Sequence, residues 1–249
     1  MRDADRQPSR STPLRRGVLL LVLAALFAGL LALGNWQLAR RAWKLELIER
    51  VERHLLAAAV PAPGPAQWST VGRDDEYRRV TVTGRFAHDL ETCTQAVTVR
   101  GPGCWVLTPL RTDAGDWILV NRGFVDPAHR DPATRGPGQV EGPTTLVGLL
   151  RLSEPGGGFL RANDPAIGRW TSRDVVAIAR ARGLTADRVA PYFIDASATE
   201  PGGPIGGMTV VQFRNSHLVY ALTWYALALL AALGAIRIWR HDRRIDGLD

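Results

Sequence analysis

Lysine is nearly absent from this chain: Lys44 stands alone among 249 residues, although the formal net charge is +7. Arginine therefore carries the positive charge, and it is spread along the chain, gathering mainly at the ends of two apolar runs. Nucleic-acid binding calls for a basic face or stripe, so no nucleic-acid partner is expected. Cysteine is as scarce. Cys93 and Cys104 are the only two and form no CxxC pair; two thiols are too few for a structural zinc site of the usual four-ligand kind. Also missing are a phosphate-cradling GxxxxGK, a nucleophile-elbow GxSxG and a zinc-binding HExxH. No repeat of roughly 20–50 residues is visible. No nucleophile–base constellation is legible, which disfavours a membrane-anchored hydrolase, and no catalytic residue is assigned.

Charge itself is missing from Gly17–Leu33 and from Leu218–Ile236. The second run is about 19 residues, or roughly 28 Å of helix, enough to cross a bilayer's hydrocarbon core. The first is longer than the roughly 7–15 apolar residues of a secretory signal, and Ala32 with Gly34 makes a weak cleavage site, which favours a retained anchor. Before it, residues 1–16 are polar, with Pro8, Pro13 and arginines, a composition that disfavours packing. The stretch between the runs is ample for one core. Arginines flank the first run on both sides. The second carries Arg237, Arg240, Arg243 and Arg244 after it but only Arg214 before it, which puts both termini in the cytoplasm. The expected organisation is a cytoplasmic tail (1–16), a transmembrane helix (17–38), a mostly-β extracytoplasmic domain (39–216), a second transmembrane helix (217–239) and a cytoplasmic tail (240–249). The expected location is a bacterial cell (inner) membrane.

Between the spans the period changes. Arg40–Ala59 has helical spacing of Leu45, Ile48, Leu55 and Leu56, ended by Pro61, Pro63 and Pro65. Val80, Val82, Gly84 and Phe86 alternate with polar neighbours as in a half-buried strand. Thr92–Val99, Trp105–Leu110, Trp117–Phe124, Thr144–Leu152 and Met208–Phe213 are further strands. Turns are expected at Gly101-Pro-Gly103, Asp113-Ala-Gly115 and Gly136-Pro-Gly138. One helix interrupts them, capped by Thr171 or Ser172, striped by Val175, Ile178 and Ala179, and ended by Gly183. The fold class is an α+β membrane protein: two spans flanking a barrel- or sandwich-like β domain with one packed helix.

Polar groups crowd the head of the second span. On a helix, His217, Tyr220, Ala221 and Trp224 share a face, with Arg214 one turn earlier. Arg, His, Tyr and Trp are ordinary interface anchors, yet a spanning helix needs none of them to insert. Trp36, with Asn35 and Gln37, ends the first span and fits either an interfacial girdle or a direct contact. Arg122 alternates with Ile118, Val120 and Phe124, so it points inward and needs a partner. His54, His88, His129 and His241 are expected on solvated surface. A disulfide between Cys93 and Cys104 is permitted outside the cytoplasm, but a turn at Arg100–Gly103 would set Cys104 opposite 97–99 rather than Cys93. That pairing stays open.

Several blocks, in order, resemble one family. They are Gly34-Asn-Trp-Gln-Leu38 with Arg40, Trp43 and Lys44; Tyr77-Arg-Arg-Val80 with Gly84-Arg-Phe86; Trp105–Leu110; and Val120-Asn-Arg-Gly-Phe-Val125. They continue with Asn163-Asp-Pro165 and Trp170; Pro191-Tyr-Phe-Ile-Asp195; and Arg214-Asn-Ser-His-Leu218 with Tyr220, Thr223 and Trp224. Through nearly the whole chain the pattern is similar to the Surfeit locus protein 1 family of cytochrome c oxidase assembly factors; Cys93 and Cys104 depart from it. The resemblance implies a non-enzymatic, two-span protein that handles haem a for the catalytic subunit of a haem-copper oxidase, with haem a synthase and membrane lipid as further partners. His217 is then the candidate axial ligand of the haem iron, neutral imidazole being a common choice. Tyr220, Trp224 and Trp36 are candidate packing surfaces for the ring, and Arg214 a candidate partner for a propionate. The alternative is a scaffold that brackets an oxidase subunit and never touches haem.

Overall fold

The computed structural model describes residues 13–158, 161–209 and 215–246. They form two compact units, one of residues 13–48 with 215–246 and one of the described residues between 49 and 209. The first unit contains most of helix α1 (Pro13–Leu56) and all of helix α3 (His217–Asp246). Leucine and alanine, good helix formers, dominate both. The span and the following charged segment, expected as separate helices, are one unbroken α1 of 44 residues. Nothing between Leu38 and Arg40 breaks it, because the first proline after Pro13 is Pro61.

The second unit is built from seven strands: β1 (Val60–Pro61), β2 (Arg79–Phe86), β3 (Thr92–Thr98), β4 (Gly101–Thr112), β5 (Trp117–Val125), β6 (Thr144–Leu152) and β7 (Val189–Ala196). Their order is β1-β2-β6-β7-β5-β4-β3, and β2 pairs with β4 as well. That extra pairing closes β2, β6, β7, β5 and β4 into a five-stranded barrel. Gly84 makes the closure sterically possible: a Cβ there would lie 2.4 Å from the Arg111 carbonyl oxygen across the seam.

Side chains alternate across the barrel wall as the strand period requires. Val80, Val82, Leu110, Ile118, Val120, Leu150, Tyr192 and Ile194 fill the interior. Leu119 and Phe193 point the other way and pack with Val175, Ile178 and Ala179 of helix α2 (Val175–Ala181). α2 is the expected packed helix, but its cap is Asp174, whose carboxylate accepts from the Ala177 amide at 3.1 Å. Thr171 and Ser172 lie too early to cap it, and their hydroxyls donate elsewhere, to Arg161 O at 3.0 Å and Glu154 O at 2.7 Å. Gly183 follows the helix with φ +72. The strand expected at Met208–Phe213 is irregular at Met208 and Thr209, and its remainder lies outside the described residues.

Gly101–Gly103 is strand, not turn: the hairpin reverses at Val99–Arg100, pairing Thr98 with Gly101 and Gln95 with Cys104. That shift places Cys104 diagonally across from Cys93 on one face, with Cα atoms 5.6 Å apart, and the two form a disulfide. Full-length protein, denatured without reductant, is therefore expected to show no reactive thiol. Reduction should lower the domain's unfolding free energy by about 3 kcal/mol. A titration that found free thiols would refute the hairpin register.

Candidate functional site

The two apolar helices are long and apolar enough to cross a membrane, over Leu14–Leu56 and His217–Arg240. Within their unit, Leu30 packs with Ala228 and Ala231, and Phe27, Leu31 and Trp224 close around them. On α3 the positions turned away from the surroundings are Ala221, Ala228 and Ala231, spaced as one helical stripe. In lipid, apolar burial gives helices no reason to associate; small residues let backbones approach and polar pairs tie them. Both devices are present. A Cβ on Gly34 would lie 2.5 Å from the Tyr225 ring, so only glycine lets that ring lie against α1. The Tyr225 hydroxyl then donates to Asn35 Oδ1 at 2.7 Å.

His217 makes the second tie: its Nδ1 lies 2.7 Å from Gln37 Oε1. A carbonyl oxygen only accepts, so Nδ1 carries the proton and Nε2 keeps its lone pair. Metal-ligating histidines are commonly oriented in this way by an acceptor on the far nitrogen. Of the expected site residues, the structure brings His217 to Gln37 and Trp224 onto the Leu30 cluster. It leaves Tyr220 and Trp36 56% and 57% exposed. Arg214 lies outside the described residues. Gln37 and Tyr225 are the partners that residue-by-residue reading misses. The available signal was the amide pair Asn35 and Gln37 at the end of one apolar run, facing the polar head of the other. Among the described residues no group of three metal-ligating side chains exists, so the donor chemistry is that of one imidazole.

The barrel domain holds a second concentration of polar groups, on the wall beneath α2. Asp195, at the end of β7, is 3% exposed. Its carboxylate accepts from Asn121 Nδ2 at 2.7 Å, Arg151 at 3.0 Å, Arg173 at 3.3 Å and Thr209 Oγ1 at 2.9 Å. The two guanidinium groups also lie over the Phe193 ring, at 5.9 Å for Arg151 and 4.8 Å for Arg173. Arg151 lies 4.7 Å over Tyr77 as well. Tyr77 takes φ 65, a left-handed backbone unusual outside glycine, and its amide donates to Leu150 O at 2.8 Å. Glu154 pairs with Arg173. Burial works to raise the Glu154 pKa, but the hydrogen bonds and charge of Arg173 outweigh it and hold the carboxyl below its ordinary value.

Arg122 does point inward, at 2% exposed. It pairs with Glu200, donates to Gly138 O, and lies 3.8 Å from Glu91, which in turn pairs with buried Arg135. His88 belongs to this group rather than to solvated surface. Its Nε2 donates to Val140 O at 2.9 Å, and its Nδ1 lies 3.2 Å from an Arg122 nitrogen. His54 is also drawn in, with Nδ1 3.1 Å from Glu76 O. His129 is exposed and pairs with Asp126. The side chain of His241 lies outside the description.

The SURF1 family model matches residues 24–229 of this chain. Surfeit locus protein 1 of Homo sapiens is 41% identical over 231 residues, covering 85% of this chain and 73% of that protein. That of Takifugu rubripes is 39% identical over 84% of this chain and 90% of its own length. A SURF1-like protein of Caenorhabditis elegans is 32% identical over 96% and 78%.

Two outcomes follow from this geometry. Gly34→Leu should displace the Tyr225 ring and cost about 1–3 kcal/mol by overpacking, whereas Tyr225→Phe should cost about 0.6 kcal/mol, the mean for one interhelical hydrogen bond. Unfolding of the full-length protein in detergent measures both; equal losses would mean that Gly34 does not set the helix separation. Because Glu154 has a depressed pKa, its stabilising contribution is full above the ordinary glutamate value of 4.5 and is lost as pH falls through the folded value. Glu154→Gln should flatten the acid limb of the domain's stability profile below about pH 4.5, and an unchanged limb would contradict the pairing with Arg173.

Proposed function

Because the chain belongs to the SURF1 family, we propose that this membrane protein is an assembly factor for haem-copper (cytochrome c) oxidase that holds haem a on its way to the catalytic subunit. The observation that carries the proposal is the His217–Gln37 hydrogen bond, which fixes the imidazole tautomer and leaves Nε2 able to bind iron. Bound haem a would supply a redox-active iron with four ring nitrogens already in place, an apolar plane and two ionised propionates. A protein offering one imidazole, and no cluster of three donors among the described residues, fits such a group better than a bare metal ion.

In this proposal His217 would hold the haem iron through Nε2 and Gln37 would orient the imidazole. Trp224 braces the helix pair from the Leu30 cluster, which assigns it a positioning role. The exposed rings of Tyr220 and Trp36 offer surface to the macrocycle or to a helix of the receiving subunit. Arg214 is assigned to a propionate from its place one turn before His217. Haem a synthase is the proposed donor, the oxidase catalytic subunit the recipient, and membrane lipid the surroundings. The domain between the spans is assigned to the extracytoplasmic side of a bacterial inner membrane, with both termini cytoplasmic. The Cys93–Cys104 disulfide supports that side, since such bonds persist in oxidising compartments.

The scaffold reading draws on the same seam: the packing at Gly34, with the ties His217–Gln37 and Tyr225–Asn35, would also serve a helix hairpin that braces an oxidase subunit. Co-expression with the haem a synthesis enzymes separates the two. Wild-type protein should purify with a Soret band, His217→Ala should lose it, and Gln37→Ala should weaken occupancy by about tenfold or more. An unchanged Soret band in His217→Ala would end the haem proposal. Haem-free wild-type protein that still captures the oxidase subunit would establish the scaffold.

A further inference from the structure

The β3–β4 hairpin has an edge that the described residues cover only in part, and a groove that the helix-pair site does not use. A groove of about 360 Å³ between α2 and β7 also exists, but apart from Arg180 its walls are apolar, and that one cation does not select an occupant. The hairpin groove is larger, about 530 Å³. Its floor is one face of the hairpin, formed by Gln95, Val97, Pro102 and the Cys93–Cys104 disulfide. Arg130, which follows β5, also lines it, as do Arg161 and Arg169.

Backbone pairing shows what this edge can accept. In an antiparallel pair, residues alternate between facing the partner strand and facing away. Pro102 has no N–H and sits opposite Val97, so this is a pair without hydrogen bonds, and the Val97 N–H and C=O point away from β4. The preceding outward amide, Gln95, is covered: it donates to Trp170 O at 2.8 Å, where Trp170 runs parallel to Thr94. The chain then leaves the edge, because Asn163 draws in the amides of Thr171 and Ser172. The strand line that Trp170 begins therefore stops short of Val97. Around the gap, Val97, Val99 and Ile167 are 88%, 95% and 68% exposed.

Charge selects the occupant. Asp126 lines the groove, but its carboxylate is engaged by the His129 amide and ring. Asp164 is 3.6 Å from Arg169. Arg130 and Arg161 have no ion pair among the described residues, so the groove carries three guanidinium groups against one lining carboxylate, over a floor that is apolar except for Gln95.

We infer that this groove docks an extended, acidic segment of a partner polypeptide, which adds a strand at Val97 and places alternate carboxylates on Arg130 and Arg161. Strand addition of this kind takes affinity from main-chain hydrogen bonds and specificity from side-chain pockets. The concave floor and the open amide favour a peptide over a membrane surface, which needs neither.

The test uses full-length protein in detergent and a fluorescein-labelled heptapeptide alternating valine with glutamate, with a valine–lysine heptapeptide as counterpart. Fluorescence anisotropy should show that the glutamate peptide binds and the lysine peptide does not. The double variant Arg130→Glu/Arg161→Glu should weaken the first by about tenfold or more and admit the second. Val97→Pro removes the outward N–H at an edge position where proline is tolerated, and should weaken binding with both arginines intact. If that variant fails to fold, hydrogen exchange of the wild-type Val97 amide decides the same point, since bound peptide should protect it. No binding of the glutamate peptide, binding indifferent to the charge reversal, or an unprotected Val97 amide would each overturn the inference. So would anionic phospholipid vesicles that bind through Arg130 and Arg161 without competition from the peptide.

Discussion

A carboxylate on the outer wall of a β-barrel, packed under a helix, has lost most of its water and is tolerable only if cations and hydrogen-bond donors come with it. Asp195 is that group, and the domain is assembled around its requirement. Asn121 reaches it from β5, Arg151 from β6, Arg173 from the loop before α2, and Thr209 from the segment after β7. Four chain segments far apart in sequence thus share one anion. Removing one partner of such a buried pair typically costs about 3–5 kcal/mol, because the remaining charge is stranded. The aromatic faces of Phe193 and Tyr77 take up the two guanidinium planes, so the arginines are packed as well as paired. Burial works to lower the Arg151 pKa, yet Asp195, with smaller contributions from Tyr77, Glu76 and Glu154, raises it.

Five of the seven strands were legible in the sequence because the barrel wall obeys a period of two, and Val80–Val82 or Ile118–Val120 display it directly. The two-residue β1 is too short to show a period, and β7 was missed because it is buried on both faces and shows no alternation. What was not legible has a physical cause in each case. β5 is buried on both faces, so Leu119 and Asn121 interrupt no visible pattern while serving the outer wall. Barrel closure rests on one glycine, Gly84, whose role appears only when Arg111 is brought beside it. The inward turn of Arg122 followed from alternation, but its partners Glu91 and Glu200 did not, because ion pairs leave no periodic trace. The hairpin register failed for a local reason: Gly101-Pro102-Gly103 has the composition of a turn, while the reversal uses Val99 and Arg100. A strand edge tolerates Pro102 because that residue faces away from hydrogen-bonding positions.

For the helix pair, helical spacing put His217, Tyr220, Ala221 and Trp224 on one side, and a stripe that wide has to be divided once a neighbouring helix is present. The division follows Ala221, Ala228 and Ala231, the small positions at which α1 approaches. His217 and Trp224 fall on their side of the boundary and Tyr220 beyond it. Alanine and glycine carry little signal within an Ala- and Leu-rich run, which is why the seam was hidden. Asn35 and Gln37, in contrast, stand out as amides at the end of an apolar run, and they are the groups that find Tyr225 and His217.

Under the proposed function, this arrangement bears on how one seam would serve a transient cargo. An interhelical hydrogen bond in a membrane contributes modestly, about 0.6 kcal/mol on average, so the His217–Gln37 contact is too weak to hold the helices alone. Close packing at Gly34 and Ala228 can hold them without it. The imidazole is thus freed from a structural duty, while the amide still fixes which nitrogen carries the proton. A ligand that is rigidly oriented but not needed for helix association can gain and lose an iron without loosening the fold around it. Handing a cofactor onward, the role proposed above, calls for that separation, and on α1 Gly34 serves the packing while Gln37 serves the orientation.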